Sequence, residues 1–413
     1  MVWWTHTNKS KYEIKEWLCF KSVPDMVIQT VNVMYDCHDP NVNGYEYHIL
    51  TNAGVNIFNV DLTQHDQEFF RAVKETLLLS EKIEKEYSRN YYRPIGFSVT
   101  ISVKEPYELD DRVDIVILKD ITKMKELLEF RKQNEKFKSM PILIWPSYYG
   151  IDDLNELIKR SAGIILEKNF LDSNLGDFLR VLKFAKEAFK PVFHIESNMV
   201  QDYHNDISQS QARRILTHTN NIINYGLDGV VVVECAGKSA ETFIRAIVRA
   251  TELSRQDIKR RKKYFDWSFQ VKTPVLPPIS SAFGASAAAL YCKAKAIIVL
   301  TMSGASARLL AKTAPPCHII AVTAHESTAR YLHLYLKVLP VYYKKSRETS
   351  WHEEYMARVV FGTQFGFEIG LLDYAAKLVV LAPLDEGCGY CNGFQILDVS
   401  QVVKSRAISK ANF

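Results

Sequence analysis

Short apolar, β-branched runs alternate with amphipathic stretches over more than the first half of the chain. Each run has the length of a buried strand, and the stretches between most of them repeat apolar residues with the period of a helix. Strands that alternate with crossover helices form parallel sheets, and eight such units close into a (β/α)8 TIM barrel. The predicted strands are 27–34, 56–63, 95–102, 113–120, 141–147, 163–169, 191–197 and 229–235.

A second α/β pattern occupies the C-terminal part of the chain. Apolar runs at 296–301, 318–323 and 339–341 alternate with short helical stretches, and further strands are predicted at 377–384 and 393–399. This pattern predicts a C-terminal three-layer α/β domain with a mostly parallel sheet. We therefore expect an N-terminal arm over residues 1–24, the barrel over 25–254 and the α/β domain over 255–413.

The turn that follows the run at 296–301 carries Thr301, Ser303, Gly304 and Ser306 at the start of a helical pattern. Hydroxyls, unpaired backbone N–H groups and the positive end of the helix dipole meet at such a turn, where a phosphate is stabilised. A tight turn that only caps the helix explains the same residues equally well. The turn is a candidate phosphate or effector site, and its occupancy stays open.

Composition narrows the class of protein. Apolar residues make up 47% and charged residues 24%, which is typical of a globular chain, and the net charge of +5 is small. The basic run at 259–263 favours a solvated helix face over a nucleic-acid contact. No apolar run approaches the about 20 residues of a membrane helix, and the first residues lack a signal-peptide core. Seven cysteines suit reduced thiols, so we expect a cytoplasmic protein that binds neither nucleic acid nor membrane.

Several segments resemble those of the pyruvate kinase family in their residues, their order and their spacing. Residues 298–307 read Ile-Val-Leu-Thr-Met-Ser-Gly-Ala-Ser-Ala, which is similar to the turn that binds an activator phosphate in the family's C-terminal domain. Residues 53–56, 92–95 and 190–192 resemble the family's entries to its barrel strands. The resemblance covers nearly the whole chain. Where the family inserts a mobile lid (B) domain after the third strand, this chain has no room for one, so we expect the lid to be absent.

The resemblance also implies which positions should carry phosphoryl transfer from phosphoenolpyruvate to ADP. At the position of the phosphate-binding arginine stands Asn59, and at that of the catalytic lysine stands Ile144. Pro146 and Phe170 replace the two metal-binding carboxylates, and Glu196 replaces the threonine of the proton relay. Losing one charge-stabilising group costs about 10²–10³ in rate. We therefore expect no intact catalytic residue.

The family's cofactors are Mg²⁺ and K⁺. The same comparison of positions indicates whether this chain could bind either ion. Asp61 and Thr63 keep side-chain oxygens at positions where the family binds its monovalent cation, and they are weak cation candidates. A divalent metal site should not form without either carboxylate. We expect no bound metal and no other cofactor.

Other polar residues at the predicted strand ends leave an alternative open. Lys119, Asp120, Glu167 and Lys168 could build a different active site in the barrel mouth, and so could His194 with Glu196. We favour solvated ion pairs, because a barrel fold does not by itself supply a chemistry. The Cys-Gly-Tyr-Cys motif at 388–391 falls between two predicted strands, which favours a plain turn over a redox site.

These observations favour a pyruvate kinase-like pseudoenzyme without phosphoryl-transfer activity. Because pyruvate kinases are tetramers whose interfaces lie on the two domains kept here, we expect a homo-oligomer, or a hetero-oligomer with an active relative. A phosphate-containing small ligand remains an expected partner of the turn at Thr301–Ser306. The alternatives are a pyruvate kinase with residual activity and a structural component of a larger assembly.

Overall fold

The computed structural model of the chain describes residues 29–38, 44–87, 91–103, 107, 111–133, 135–146, 153–167, 175–197, 209–253, 257–345, 348 and 350–403. Eight parallel strands close into a barrel in sequence order, and a separate five-stranded sheet follows. The predicted TIM barrel and C-terminal α/β domain are therefore confirmed. The predicted N-terminal arm lies outside the described residues, and the predicted domain bounds stay predictions.

The barrel alternates strands and helices along the chain. Its strands are β1 Asn32–Cys37, β2 Val55–Asp61, β3 Gly96–Ser102, β4 Ile115–Lys119, β5 Ile142–Trp145, β6 Gly163–Leu166, β7 Val192–Ser197 and β8 Gly229–Val233. The helices are α1 Gly44–Ala53, α2 Gln67–Tyr87, α3 Met124–Gln133, α4 Glu135–Ser139, α5 Leu154–Arg160, α6 Leu175–Glu187, α7 Gln209–Tyr225 and α8 Gly237–Leu253. Parallel strands joined by helices bury both faces of the sheet, which explains the nearly continuous apolar runs.

The two faces of the barrel wall can be told apart by what they contact. Residues such as Tyr35, Phe58 and Ile144 belong to a core that includes the surrounding helices. Their alternating neighbours pack in the barrel interior, with members from every strand except β3: Met34, Ile57, Ile115, Ile117, Leu143, Ile165, Phe193, Ile195 and Val231. Because side chains alternate along a strand, this assigns an inward or outward direction to every strand position.

Strand β1 begins later than predicted. The apolar run suggested 27–34, whereas the strand is Asn32–Cys37 and its outward residues are Val33, Tyr35 and Cys37. The apolar run was a poor guide because the strand itself contains polar residues, Asn32 at its start and Asp36 near its end. The side chain of Asn32 is buried and its Nδ2 donates to Tyr335 O at 2.8 Å. The shift matters, since it brings Asp36 to the inner face at the end of the strand.

The connection between β3 and β4 is short. Only residues 103–114 separate the two strands, so no domain is inserted at this point. This agrees with the expected absence of the lid.

The C-terminal domain has three layers. Its sheet has the order β11-β10-β9-β12-β13, with β9 Ala296–Leu300, β10 His318–Thr323, β11 Val338–Tyr342, β12 Lys377–Ala382 and β13 Gly393–Asp398. Only β13 runs antiparallel to its neighbour. The domain's helices are α9 Asp257–Gln270, α10 Pro277–Cys292, α11 Ala305–Lys312, α12 Glu326–Tyr331 and α13 Trp351–Glu368. Helices α10 and α11 pack on one face of the sheet and α13 packs on the other.

Buried carboxylates join the N-terminal end of the barrel to the C-terminal domain. Asp228, 1% exposed, accepts hydrogen bonds from the backbone N–H of Val192 at 2.9 Å and of Leu336 at 3.0 Å. The ammonium of Lys312 lies 2.5 Å from the same carboxylate. Asp114 has a similar role, because Arg330 of the C-terminal domain donates to it at 2.8 Å.

His333 is a neutral member of the same junction. Its Nε2 donates to Pro94 O at 2.7 Å, and its Nδ1 lies 3.3 Å from Asn56 Nδ2. Burial, together with the positive charge of Arg93, lowers the pKa of His333 to about 3. The imidazole is therefore uncharged at neutral pH and serves as a hydrogen-bonding group between the two domains.

Replacing the Asp228 carboxylate should destabilise the whole chain. In Asp228→Asn, Lys312 would keep a buried positive charge without its partner, which typically costs about 3–5 kcal/mol. Urea denaturation should show that loss in the free energy of unfolding. The matched control is Asp398→Asn, whose pair with Lys377 is half exposed and screened by solvent, so its loss should change the stability little. Equal effects of the two substitutions would contradict this account of the junction.

Candidate functional site

Polar side chains gather inside the barrel at the C-terminal ends of the strands, where barrel enzymes keep their active sites. They come from six consecutive strands or the residue that follows them: Asp36, Asn59, Asp61, Ser98, Thr100, Lys119, Trp145 and Glu167. Each stands at an inward position of its strand. The structure thus unites four residues named in the sequence analysis, Asn59, Asp61, Lys119 and Glu167, with four that it missed: Asp36, Ser98, Thr100 and Trp145.

Asn59 is held by its neighbours. Its amide nitrogen donates to Asp36 Oδ1 at 2.7 Å and to Thr100 Oγ1 at 3.0 Å, and its carbonyl oxygen accepts from Ser98 Oγ at 2.9 Å. The side chain is 2% exposed. At the position where the family resemblance places an arginine for phosphate, this chain has a buried amide engaged by three other side chains.

Asp61 forms an ion pair with Lys119, and Trp145 covers that pair. The ammonium of Lys119 lies 3.2 Å from Asp61 Oδ2 and 4.7 Å from the centre of the Trp145 ring, a cation–π contact. Trp145 Nε1 in turn donates to Glu167 Oε1 at 2.6 Å. The four side chains therefore form one continuous chain of contacts across β2, β4, β5 and β6.

The ionisation of Asp36 is displaced toward neutral pH. Burial, with the negative charge of Asp61, raises the pKa of Asp36 to about 7 against the opposing effects of Asn59 and Lys119. A carboxyl group with such a pKa is able to accept and return protons near neutral pH. Its inward position could have been found from sequence, had β1 been read as alternating rather than as a continuous run.

Ile144, one of the predicted catalytic positions, does not face the mouth. Ile144 packs among the residues that contact the helices, so the side chain lies on the outer face of β5, and its neighbour Trp145 faces inward. At this strand Trp145 is therefore the residue whose side chain fills the mouth. Pro146 is buried just after β5. Phe170, like Lys168, lies outside the described residues.

Glu196 also points away from the mouth. It lies 3.3 Å from His194 Nδ1 on the same strand and 3.5 Å from His218 Nδ1 on α7, between the barrel wall and that helix. Burial raises its pKa, but hydrogen bonds and charges from the two histidines outweigh burial and lower the pKa to about 2. The inward residues of β7 are Phe193 and Ile195. His194 and Glu196 therefore belong to the packing of α7 against the barrel.

The donor atoms that the structure describes in the mouth do not fit a metal ion. Asp61 Oδ1 accepts both the hydroxyl and the backbone N–H of Thr63, at 2.6 Å and 2.9 Å, while Oδ2 faces Lys119. The Lys119 ammonium already supplies the positive charge that a cation would bring to Asp61. Across the described ranges, no three or more His, Cys, Asp or Glu side chains converge as metal ligands.

The turn at Thr301–Ser306 has the predicted strand-to-helix geometry. It leads from β9 into α11, and Gly304 precedes the helix with φ of 73°. A side chain at Gly304 would collide with the hydroxyl of Tyr331, which donates to Ser303 O. The first turn of α11 carries no acidic residue. These features suit an anion and a plain cap equally, so the phosphate site stays a prediction.

The Cys388–Cys391 segment lies in the turn between β12 and β13, as predicted. Cys391 is buried, and its thiol lies 3.3 Å from Leu300 O, next to the Thr301–Ser306 turn. Burial raises the pKa of Cys391 to about 11. Both cysteines are free thiols, and a thiol with that pKa is a poor nucleophile.

Comparisons with known proteins point to one family. A model of the pyruvate kinase alpha/beta domain matches residues 280–397. Pyruvate kinase 1 of Candida glabrata is 28% identical over 303 residues, 70% of this chain and 59% of the relative. Pyruvate kinase 2 of Saccharomyces cerevisiae is 28% identical over 263 residues, 61% of this chain and 51% of the relative. The rat pyruvate kinase PKLR is 26% identical over 314 residues, 71% of this chain and 52% of the relative.

The matches span most of this chain but only about half of each relative, between 51% and 59% of its length. In the part of the chain that the structure describes, no helix is both long and apolar enough to cross a bilayer.

The raised pKa of Asp36 predicts a stability that depends on pH. Between about pH 4 and pH 7 the folded protein holds a proton that the unfolded chain has released, so stability should fall as pH rises through this window. Asp36→Asn removes that ionisation, so between pH 4 and pH 8 the variant should gain about 4 kcal/mol of stability relative to the unmodified protein. Urea denaturation across this range measures the difference. Glu129→Gln on the exposed face of α3 is the control, and an equal pH dependence in both variants would refute the assignment.

Proposed function

Because the chain belongs to the pyruvate kinase family, we propose that it is a pseudoenzyme of that family and acts as an oligomeric regulatory partner. The observation that carries the proposal is the state of the barrel mouth. The inward positions hold a buried amide engaged by Asp36, Ser98 and Thr100, and an Asp61–Lys119 pair covered by an indole. These groups satisfy one another, so none of them is left to grip a phosphoryl group.

The outer edge of the C-terminal sheet supports the regulatory half of the proposal. Strand β13 is an edge strand, and Phe394 and Ile396 on it are 41% and 49% exposed. An edge strand presents unpaired backbone groups, and with exposed apolar side chains it is suited to pair with another strand. The partner we propose is a second copy of this chain, or an active relative with the same domain, joined through β13 about a two-fold axis.

A second candidate function keeps the barrel as an enzyme. Asp36, with a pKa near 7, stands in a polar mouth beside Asp61 and Lys119. Such a group favours proton transfer at a carbon next to a carbonyl, the enolate half of the family's reaction, over phosphoryl transfer. The same purified protein can test both reactions.

Activity should be absent. We expect no Mg²⁺-dependent pyruvate formation from phosphoenolpyruvate and ADP in the presence of K⁺, because the described residues of the mouth offer neither metal ligands nor a free cation for the phosphoryl group. A yeast pyruvate kinase assayed in parallel is the positive control, and cooperative unfolding shows that the protein is folded.

Turnover that disappears when the metal is chelated would overturn the pseudoenzyme proposal. Incorporation of solvent deuterium into the methyl group of pyruvate, lost in Asp36→Asn, would favour the second candidate instead. The absence of both reactions leaves the regulatory proposal to the assembly experiment.

Assembly should depend on β13. Placing a charge at Ile396, as in Ile396→Lys, should convert the oligomer into smaller species, because a two-fold pairing brings both new charges into one interface. Sedimentation velocity measures the mass, alone and mixed with an active pyruvate kinase. The control is Leu79→Lys on α2, where a leucine is 55% exposed but no strand edge exists. A monomeric unmodified chain that also leaves the active enzyme's mass and activity unchanged would refute the proposal.

A further inference from the structure

A cavity of about 700 Å³ lies at the junction of the barrel and the C-terminal domain, at the end of the barrel opposite the mouth. Its wall combines the starts of β7 and β8 with the ends of α6, α7 and α9 and with residues that follow α11. The volume is within the range of small-molecule sites, which occur often at domain junctions. The proposed pseudoenzyme role involves the mouth and β13, so a ligand in this cavity would be independent of that role.

Positive charge dominates the ionisable groups of the wall. Five lysines line it, against two carboxylates: Lys183, Lys186, Lys190, Lys312 and Lys337, with Glu187 and Asp228. Asp228 is already satisfied by Lys312 and two backbone N–H groups. The ammonium of Lys190 donates to Ser161 O at 2.7 Å, and burial lowers its pKa to about 8. A group with a negative charge would be stabilised here.

An aromatic and aliphatic surface faces these cations. Trp267, 4% exposed, lies beneath the ammonium of Lys186, whose Nζ is 4.6 Å from the ring centre. The remaining apolar residues of the wall include Leu182, Ile223 and Leu336. Pockets of this composition bind the apolar body of a ligand by burial and orient it through a few polar contacts.

Two buried polar atoms in this wall have no hydrogen-bond partner within the described chain. They are Trp267 Nε1 and Thr30 Oγ1, and each belongs to a residue that is only 4% exposed. A buried donor without an acceptor destabilises the folded state, so such groups are rarely left unpaired. Trp267 Nε1 is covered from the cavity, so a small rotation of the indole would be needed to bring its N–H to a ligand acceptor beside the lysine ammonium groups.

From the cavity, its lysines and its two unpartnered donors, we propose that this junction binds a small organic anion with a planar apolar body. The body would pack on the leucine and isoleucine side chains beside Trp267. The anionic group, a carboxylate, phosphate or sulfonate, would accept from Trp267 Nε1 and lie near Lys183 and Lys186. Because both domains contribute to the wall, the ligand would also stabilise their packing.

The test uses the full chain and two fluorescent probes. 8-Anilinonaphthalene-1-sulfonate carries the anionic group, and N-phenyl-1-naphthylamine has the same aromatic body without it. We expect about one sulfonate probe to bind per chain, at least about tenfold tighter than the neutral probe, because only the sulfonate can accept hydrogen bonds from the lysine ammonium groups. The double variant Lys183→Gln, Lys186→Gln should weaken the sulfonate about tenfold and leave the neutral probe unchanged.

Trp267→Phe separates the hydrogen bond from the aromatic surface. It keeps a ring and removes Nε1, so it should weaken the sulfonate probe about threefold to tenfold and should leave the neutral probe within about twofold. Lys125→Gln, on the exposed face of α3, is the matched control and should change neither affinity.

Equal affinity of the unmodified protein for the two probes would overturn the proposal, and so would sulfonate binding that survives all three substitutions. If the double lysine variant fails to fold, the comparison of the two probes on the unmodified chain and on Trp267→Phe still decides the question.

Discussion

The carboxylate of Asp228 is the contact on which the rest of the molecule depends. It lies where β8 begins, binds the backbone of β7 and of the segment at Leu336, and neutralises Lys312. Closing the barrel and docking the C-terminal domain are therefore parts of one interaction. Removing one partner of a buried charge leaves that charge uncompensated and strongly destabilises the folded protein. A shift of either domain would separate Asp228 from its partners in this way. Asp114 and His333 reinforce the junction with an ion pair and a neutral imidazole.

The contacts that stabilise the domain junction and the polar groups of the mouth lie at opposite ends of the barrel. The N-terminal end carries the contacts that hold the domains together, and the C-terminal end carries Asp36, Asn59, Asp61 and Lys119. Residues at the mouth can change without loss of the barrel, because the core beneath them is apolar. That independence allows the side chains of a barrel mouth to vary while the fold stays the same.

The fold was predictable from the sequence, because parallel strands and covering helices leave a strong periodic signal. The direction in which each side chain points was not predictable in the same way. One residue of register decides whether a side chain enters the mouth or the helix layer. Ile144 and Glu196 were assigned to the mouth and lie outside it, whereas Trp145 and Asp36 lie inside. The raised pKa of Asp36 depends on burial and on Asp61, which is distant in sequence. The cavity wall likewise joins elements that are far apart along the chain, so no local sequence pattern predicts the cavity.

The polar groups of the mouth already have hydrogen-bond partners, whereas, among the described residues, some at the domain junction and on β13 do not. In the mouth the amide of Asn59, the Asp61–Lys119 pair and the indole of Trp145 already have partners within the chain. At the domain junction, Trp267 Nε1 and Thr30 Oγ1 have none within the described chain, and β13 leaves one side of a strand open. Burying an unpaired donor is unfavourable, and an open strand edge favours pairing, so both places gain from a partner where the mouth does not. Among these three places, the gain in free energy from binding a partner is therefore larger at the domain junction and at the sheet edge than at the barrel mouth.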